Sequence, residues 1–256
     1  MVKPKKHLGQ HFLTEHAIAQ KIVGHLSCRY PVIEIGPGKG ILSHYLAEKK
    51  PPGFRLIEVD PESVAYLRQF PDLAAAVIQD DFLRTDLQQI FSPPLSLLGN
   101  LPYNISAPVF FKILENRDAV AEVVCMVQKE VAGRITAPPG TKVYGILSVL
   151  LQTFYTAEYL FSVNEGVFFP PPKVRSAVMK LTRNERTTLP CSWEQYLGLV
   201  KSAFNQRRKT LRNALRSLIP DAASFPEQLG ELRAEKLSVE DFLKLATLLP
   251  KEKAVR

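Results

Sequence analysis

The stretch VIEIGPGKG, residues 32–40, decides the fold. Its first half is an apolar run of strand length carrying one acid, Glu34. Its second half sets Gly36, Gly38 and Gly40 at alternate positions. The next segment, LSHYLAEKK (42–50), has helical periodicity. In a strand, glycine turn and helix in that order, the backbone turns sharply and can approach a ligand closely. The alternation repeats further along the chain. Strand-like runs recur as FRLIEV (54–59), AAAVIQ (74–79), LSLLG (95–99) and EVVCMVQ (122–128), with helical patterns such as PESVAYLRQF (61–70) between several of them. This alternation predicts an α/β fold with a parallel sheet covered on both faces. Two later runs, GILSVLLQTFY (145–155) and SAVMKL (176–181), supply further strands or a core helix. FFPPPKVR (168–175) is expected to be irregular, because three prolines remove three backbone donors.

The glycine turn is not a triphosphate loop, since no GxxxxGK[ST] occurs. It is a poor dinucleotide fingerprint too, because the third glycine of that pattern would fall on Ile41. Acids follow the next two strands. Glu58 closes FRLIEV about 20 residues on, where a carboxylate holds ribose hydroxyls. Asp60 is the neighbouring alternative, or the start of the following helix. Asp80 and Asp81 follow the third strand, where a carboxylate can accept from an adenine amine. Glu34 either reaches a cationic ligand or is a satisfied structural acid. Glycines and carboxylates together suit a positively charged nucleoside, and S-adenosylmethionine (SAM), a sulfonium, is such a ligand.

The fourth strand runs into LLGNLPYNISAPVFF (97–111), where Asn100, Pro102, Tyr103 and Asn104 cluster. This is either a tight turn or a pocket for a flat, amine-bearing ring. In the second case the Asn100 amide and the carbonyl of Leu101 or Pro102 accept the two amine hydrogens, and Tyr103 offers a stacking face. An exocyclic purine amine is a weak nucleophile, so alignment with a methyl donor dominates the rate.

A boundary is expected near residue 184, giving a catalytic domain over 1–183 and a helical domain over 184–256. Ser192 and Ser238 are expected N-caps, the latter with Asp241 at the capping-box spacing. Between Leu197 and Leu218, the residues Leu197, Val200, Phe204, Leu211, Leu215 and Leu218 share one face at helical spacing. Lys201, Arg208, Arg212 and Arg216 form a stripe beside it, joined by Lys209, with no acid between Lys201 and Arg216. With Lys3, Lys5 and Lys6 this stripe fits a phosphate-binding surface.

The bulk numbers agree with such a protein. The 256 residues carry a formal net charge of +8, which favours a polyanionic partner. No apolar run approaches the roughly 18 residues that cross a membrane. Three scattered cysteines without a CxxC argue against a disulfide framework or a zinc site and for a reducing cytoplasm.

The order KKHLGQHFL, VIEIGPGKG, LIEVD, QDDFL, GNLPYNIS, VQKEVAGRI, FFPPPKVRSAV and FNQRRKTLRNAL resembles the small-subunit ribosomal RNA adenine dimethyltransferase family over most of the chain. The resemblance implies a Rossmann-like SAM-dependent methyltransferase domain followed by a small all-helical C-terminal domain. It implies dimethylation at N6 of two adjacent adenines in a hairpin near the 3′ end of small-subunit rRNA, within a ribosomal subunit or its precursor. Nothing in the sequence suggests an obligate dimer, so a monomer is expected. Carried over by motif, SAM contacts fall on His11, Leu13, Gly36, Gly38, Glu58, Asp81 and Asn100, with Asp80 as the competing register. His11 stands where many relatives have Asn, so its contact is by side chain or backbone, or it is a plain helix-entry residue. Asn100, Leu101, Pro102 and Tyr103 form the acceptor site, and Phe169 is a second face for the target base while Phe168 is core. Lys129 and Arg134 meet either RNA phosphate or nearby acids. Two rival readings share these features: a large-subunit adenine methyltransferase of the macrolide-resistance type, and a non-catalytic rRNA-binding assembly factor.

Overall fold

The computed structural model describes residues 2–219 and 225–250. The strands are β1 (Phe12–Leu13), β2 (Val32–Ile35), β3 (Phe54–Glu58), β4 (Val77–Gln79), β5 (Leu95–Asn100), β6 (Val120–Gln128), β7 (Tyr155–Val163), β8 (Phe168–Phe169) and β9 (Ser176–Arg183). The helices are α1 (His16–Gly24), α2 (Ile41–Glu48), α3 (Pro61–Leu67), α4 (Leu87–Ile90), α5 (Ser106–Glu115), α6 (Lys129–Ile135), α7 (Ile146–Phe154), α8 (Trp193–Asn205), α9 (Leu211–Ala214), α10 (Glu227–Gly230) and α11 (Val239–Ala246).

Seven strands form one sheet in the order β4-β3-β2-β5-β6-β9-β7. The first five are parallel, and β9 runs antiparallel to β6. Burial on both faces explains why VIEI of β2 and LSLLG of β5 are buried at every position. From β2 the chain builds outward through β3 and β4, then returns to lay β5 on the other side of β2. The carboxyl ends of β2 and β5 therefore flank the switch point at which open α/β sheets bind ligands. The two strands lie close there: a side chain at Gly99 would put its Cβ 2.8 Å from the Ile35 carbonyl oxygen.

One core cluster joins Ala19, Ile22 and Val23 of α1, Leu42 and Leu46 of α2, and Leu98, Val124, Met126 and Val178 of the sheet. A second packs Val64 and Leu67 of α3 on Leu56 and Val77. Helix entry follows local capping chemistry. Asp60 accepts from Glu62 N at 3.2 Å ahead of Pro61. Ser192 exchanges bonds with Gln195, and Ser238 with Asp241.

Two expectations need correction and one open alternative is resolved. FFPPPKVR is not wholly irregular: Phe168 and Phe169, ahead of the prolines, keep their N–H groups and pair as β8 with Leu13 and Phe12. GILSVLLQTFY holds both a helix and a strand, α7 and the first residue of β7. A single cut at 183/184 does not describe the compact units. Among the described residues, one comprises 2–132 and 156–183, the other 133–155, 184–219 and 225–250. The inserted piece belongs with the later helices because α7 packs on α8 and α11, with Thr153 Oγ1 2.9 Å from the Tyr196 hydroxyl.

Candidate functional site

A cavity of about 320 Å³ opens at the switch point. Its walls are the turn after β2, the end of β3, the loop after β4, the loop after β5 and the segment His7–Leu13. Gly38 has φ +57°, and a Cβ there would stand 2.8 Å from the Phe12 ring. Glycine thus permits both the left-handed turn and the approach of the N-terminal segment.

Glu58 is buried and fixed at both oxygens: Oε2 accepts from Gly38 N at 2.9 Å, and Oε1 from Asp60 N at 2.8 Å. Burial raises its pKa against the pull of these donors. A carboxylate held by two N–H groups retains lone pairs for ribose hydroxyls. Asp60 is otherwise engaged. Besides capping α3 it accepts from Lys5 Nζ at 2.5 Å and from the Ser63 hydroxyl at 3.1 Å. Desolvation would raise its pKa, but Lys5 and the other donors outweigh it, so the carboxyl titrates below its usual range.

Glu34, inside β2, is 1% exposed and lines the cavity floor. Its Oε2 has no hydrogen-bond partner. Burial, joined by the charge of Glu58, pushes its pKa up to about 8 against the pull of the Ser43 hydroxyl. An acid with an orphaned oxygen in this position favours a cation above it, because ionisation then gains a partner.

Both acids after β4 line the cavity. Asp80 spends its oxygens within its own loop, accepting from Asp81 N at 2.8 Å and Thr85 Oγ1 at 2.7 Å. These bonds, Thr85 first, hold its pKa low. Asp81 accepts from Leu83 N at 3.0 Å through Oδ1, and its Oδ2 lies 3.7 Å from Arg84. Asp81 Oδ2 is the less committed acceptor.

The loop after β5 is set by two main-chain bonds: Leu101 N donates to Met126 O at 3.0 Å, and Ile105 N to Pro102 O at 3.2 Å. The Pro102 carbonyl is thereby engaged in the turn, which leaves that of Leu101 as the better acceptor for a ligand. Asn100 Nδ2 donates to His11 O at 2.9 Å. A carbonyl oxygen can only accept, so the amide orientation is fixed by chemistry and Oδ1 is the end left for a ligand. The Tyr103 hydroxyl meets Ser176 Oγ at 2.6 Å, and burial raises its pKa despite that contact. The His11 ring stacks on Tyr103, with centroids 5.5 Å apart and planes at 30°, and His11 Nδ1 lies 2.7 Å from Pro170 O. Through β1 and β8, Phe12 faces Phe169 and Leu13 faces Phe168. Phe168 and Leu13 are buried, whereas Phe169 is 57% exposed.

A methyl-bearing sulfonium nucleoside fits this chemistry. The glycine turn gives close backbone approach, Glu58 and the acids after β4 give acceptors, and the orphaned Glu34 oxygen favours positive charge.

The second unit rearranges the basic stripe. The periodic run 197–218 is not one helix: α8 ends at Asn205, residues 206–209 turn with Lys209 N on Gln206 O at 2.8 Å, and α9 starts after Thr210. Thr210 takes the extended N-cap conformation ahead of α9. Of the expected apolar face, Val200, Phe204, Leu211 and Leu215 are buried on the two sides of the break, while Leu197 and Leu218 are only half-buried. Arg212 Nε lies 3.7 Å from Glu231, and its guanidinium packs over Phe225 and against Gly230. Lys201, Arg208, Lys209 and Arg216 remain at least partly solvent-accessible.

Some contacts at the site carried no signal in the sequence. Lys5, expected with Lys3 and Lys6 on a phosphate-binding surface, instead pairs with Asp60 and Glu62 more than 50 residues away, its charge met there by two carboxylates. Gln10 accepts from Lys5 N at 2.8 Å, and Ser176, in a run read only as a strand or core element, holds Tyr103.

The family profile "Ribosomal RNA adenine dimethylase" matches residues 1–251. A protein of Cytophaga hutchinsonii called "Ribosomal RNA small subunit methyltransferase A" is 49% identical over 97% of this chain and 98% of its own. One of the same name from Bacteroides fragilis is 50% identical over 96% of this chain and 92% of its own. Among solved structures, a dimethyladenosine transferase from Plasmodium falciparum superposes with TM-score 0.77 at 26% identity, covering 92% of this chain and 96% of that one. The 23S rRNA methyltransferase ErmE superposes with TM-score 0.71 at 25% identity, covering 93% and 99%. A profile match over nearly the whole length, with half-identical relatives on the same span, places this chain in the ribosomal RNA adenine dimethylase family.

Proposed function

We propose that this protein is a SAM-dependent methyltransferase that dimethylates N6 of adenines in small-subunit ribosomal RNA. The observation that carries the reading is the Asn100 amide, held by the His11 carbonyl at the switch point with its oxygen left for an incoming amine. When bound, SAM supplies an electrophilic methyl group on a sulfonium. Asn100 Oδ1 and Leu101 O accept the two amine hydrogens of the target adenine and turn its nitrogen lone pair toward that methyl. Tyr103 supports one face of the displaced base and Phe169 the other, each worth roughly 1–3 kcal/mol. Bound SAM would give up that methyl with its C–S electron pair left on sulfur, so the task of Asn100 and Leu101 is to hold the amine lone pair in line with the methyl. The amine proton then passes to water, so no dedicated base is required. Glu58 holds the ribose, Asp81 or Asp80 the cofactor adenine, and Gly36 and Gly38 the backbone approach. Lys201, Arg208, Lys209 and Arg216 position the RNA through phosphate.

In finer detail, the substrate is a pair of adjacent adenines in a hairpin near the 3′ end of the rRNA, presented within a subunit or its precursor, and the enzyme acts as a cytoplasmic monomer. The likeness to ErmE favours a second reading, methylation of large-subunit rRNA. The 49–50% identity to small-subunit enzymes, against 25% to ErmE, supports the first. Incubating purified small and large subunits in parallel with radiolabelled SAM separates the two: we expect label in the small subunit, and label confined to the large subunit would overturn the proposal.

A further inference from the structure

Lys112 of α5 reaches out of its helix to the loop behind β4. Its Nζ donates to Thr85 O at 2.6 Å and to Leu83 O at 3.0 Å. That loop is a tight turn in which Asp81 O accepts from Arg84 N at 2.8 Å and Thr85 N at 3.0 Å. A turn of this kind leaves its last carbonyls without main-chain donors, and a cation beyond its end bonds them. Within the turn, the Thr85 hydroxyl closes on Asp80 and Leu83 N on Asp81. The Phe82 ring, 4% exposed, lies 5.6 Å from the ammonium. Burial lowers the Lys112 pKa, while Glu115, Asp81, Asp86 and Asp80 pull it back up. The helix that carries Lys112 begins at Ser106, directly behind Asn100–Asn104. One helix therefore joins the acceptor loop to the Asp80–Leu83 wall of the cavity.

We infer that Lys112 is a positioning residue for the cofactor's purine: by holding the Leu83 and Thr85 carbonyls from α5, it fixes the Asp80–Leu83 wall in the shape that recognises a 6-amino purine. The inference rests on the reading of that wall as the adenine side of the cofactor site. Lys112 touches neither reacting group. It acts through the loop, so its loss changes which purine is preferred as well as how tightly the cofactor is held.

The test is calorimetric binding of S-adenosylhomocysteine and of its 6-oxo analogue, S-inosylhomocysteine, to the full-length wild type and to Lys112→Met and Lys112→Arg. We expect the wild type to prefer the 6-amino compound by about tenfold or more. Lys112→Met weakens the 6-amino compound about tenfold and the 6-oxo compound by less than about threefold, so the preference collapses; Lys112→Arg, which keeps a cation, restores part of it. In turnover, KM for SAM rises about tenfold while kcat at saturation falls by less than about threefold. Should Lys112→Met fail to fold, Lys112→Gln, which keeps a donor for one carbonyl, is read in the same way. An intact preference in the variant, or equal weakening of both compounds, overturns the positioning role. A wild type that binds both compounds equally overturns the reading of the wall, and the inference with it.

Discussion

Asn100 Nδ2 and the main-chain oxygen of His11, 89 residues apart in sequence, are 2.9 Å apart and hydrogen-bonded. This bond makes the carboxamide directional, with its nitrogen held by the N-terminal segment and its oxygen left to the cavity. Asn100→Ala removes the acceptor, and we expect kcat to fall about 10²–10³-fold while RNA affinity, measured by filter binding, stays within about threefold of wild type. Asn100→Asp keeps an oxygen on each side but sets one against the His11 carbonyl, so it should be no better than Ala.

Substitutions at the adjacent phenylalanines of β8 should separate folding from the proposed base contact. Phe168 is 4% exposed within the core cluster that includes α1 and α2, so Phe168→Ala should cost about 3–5 kcal/mol in denaturant unfolding. Phe169 is 57% exposed, and Phe169→Ala should change stability by less than about 0.5 kcal/mol while lowering kcat/KM for RNA about tenfold or more. Equal stability losses at the two positions would contradict this division.

Glu34 makes stability depend on pH. Its folded pKa, about 8, lies above its unfolded value near 4.5. Its contribution is therefore complete below pH 4.5 and is lost as pH rises to about 8. Glu34→Gln abolishes that titration. Its melting temperature should gain on wild type between pH 5 and pH 8, by an amount corresponding to a few kcal/mol, on the order of the shift itself. Melting curves that stay parallel across this window would contradict the assignment.

The proposed RNA surface can be tested without disturbing the fold. Arg212 is tied to Glu231 and Phe225, so charge reversal there would mix binding with stability. Arg208→Glu with Arg216→Glu should weaken RNA binding and reduce the slope of log K against log salt by roughly 0.7–0.9 for each phosphate no longer neutralised. An unchanged slope would remove these residues from the interface.

The parts of the site legible in the sequence are those fixed by strand ends and by backbone geometry. Gly36, Gly38, Glu58 and Asn100 follow apolar runs of strand length, and a parallel sheet brings such ends to one edge. Asp60 as a helix start and Ser192 and Ser238 as caps follow from local chemistry. The break at residues 206–210 was not legible, because the apolar spacing runs on across the turn and the buried residues on both sides keep it. The grouping of α7 with α8 and α11 and the contacts of Lys5 and Lys112 come from tertiary packing across 27 or more residues, which no local period encodes.

The most direct test is mass-spectrometric mapping of modified nucleosides in rRNA from cells that lack this activity and are complemented with the wild type or with Asn100→Ala. With the wild type we expect N6,N6-dimethyladenosine at two adjacent positions near the 3′ end of the small-subunit rRNA, and with Asn100→Ala none. Dimethyladenosine confined to the large-subunit rRNA, or equal modification by the two proteins, would contradict the account.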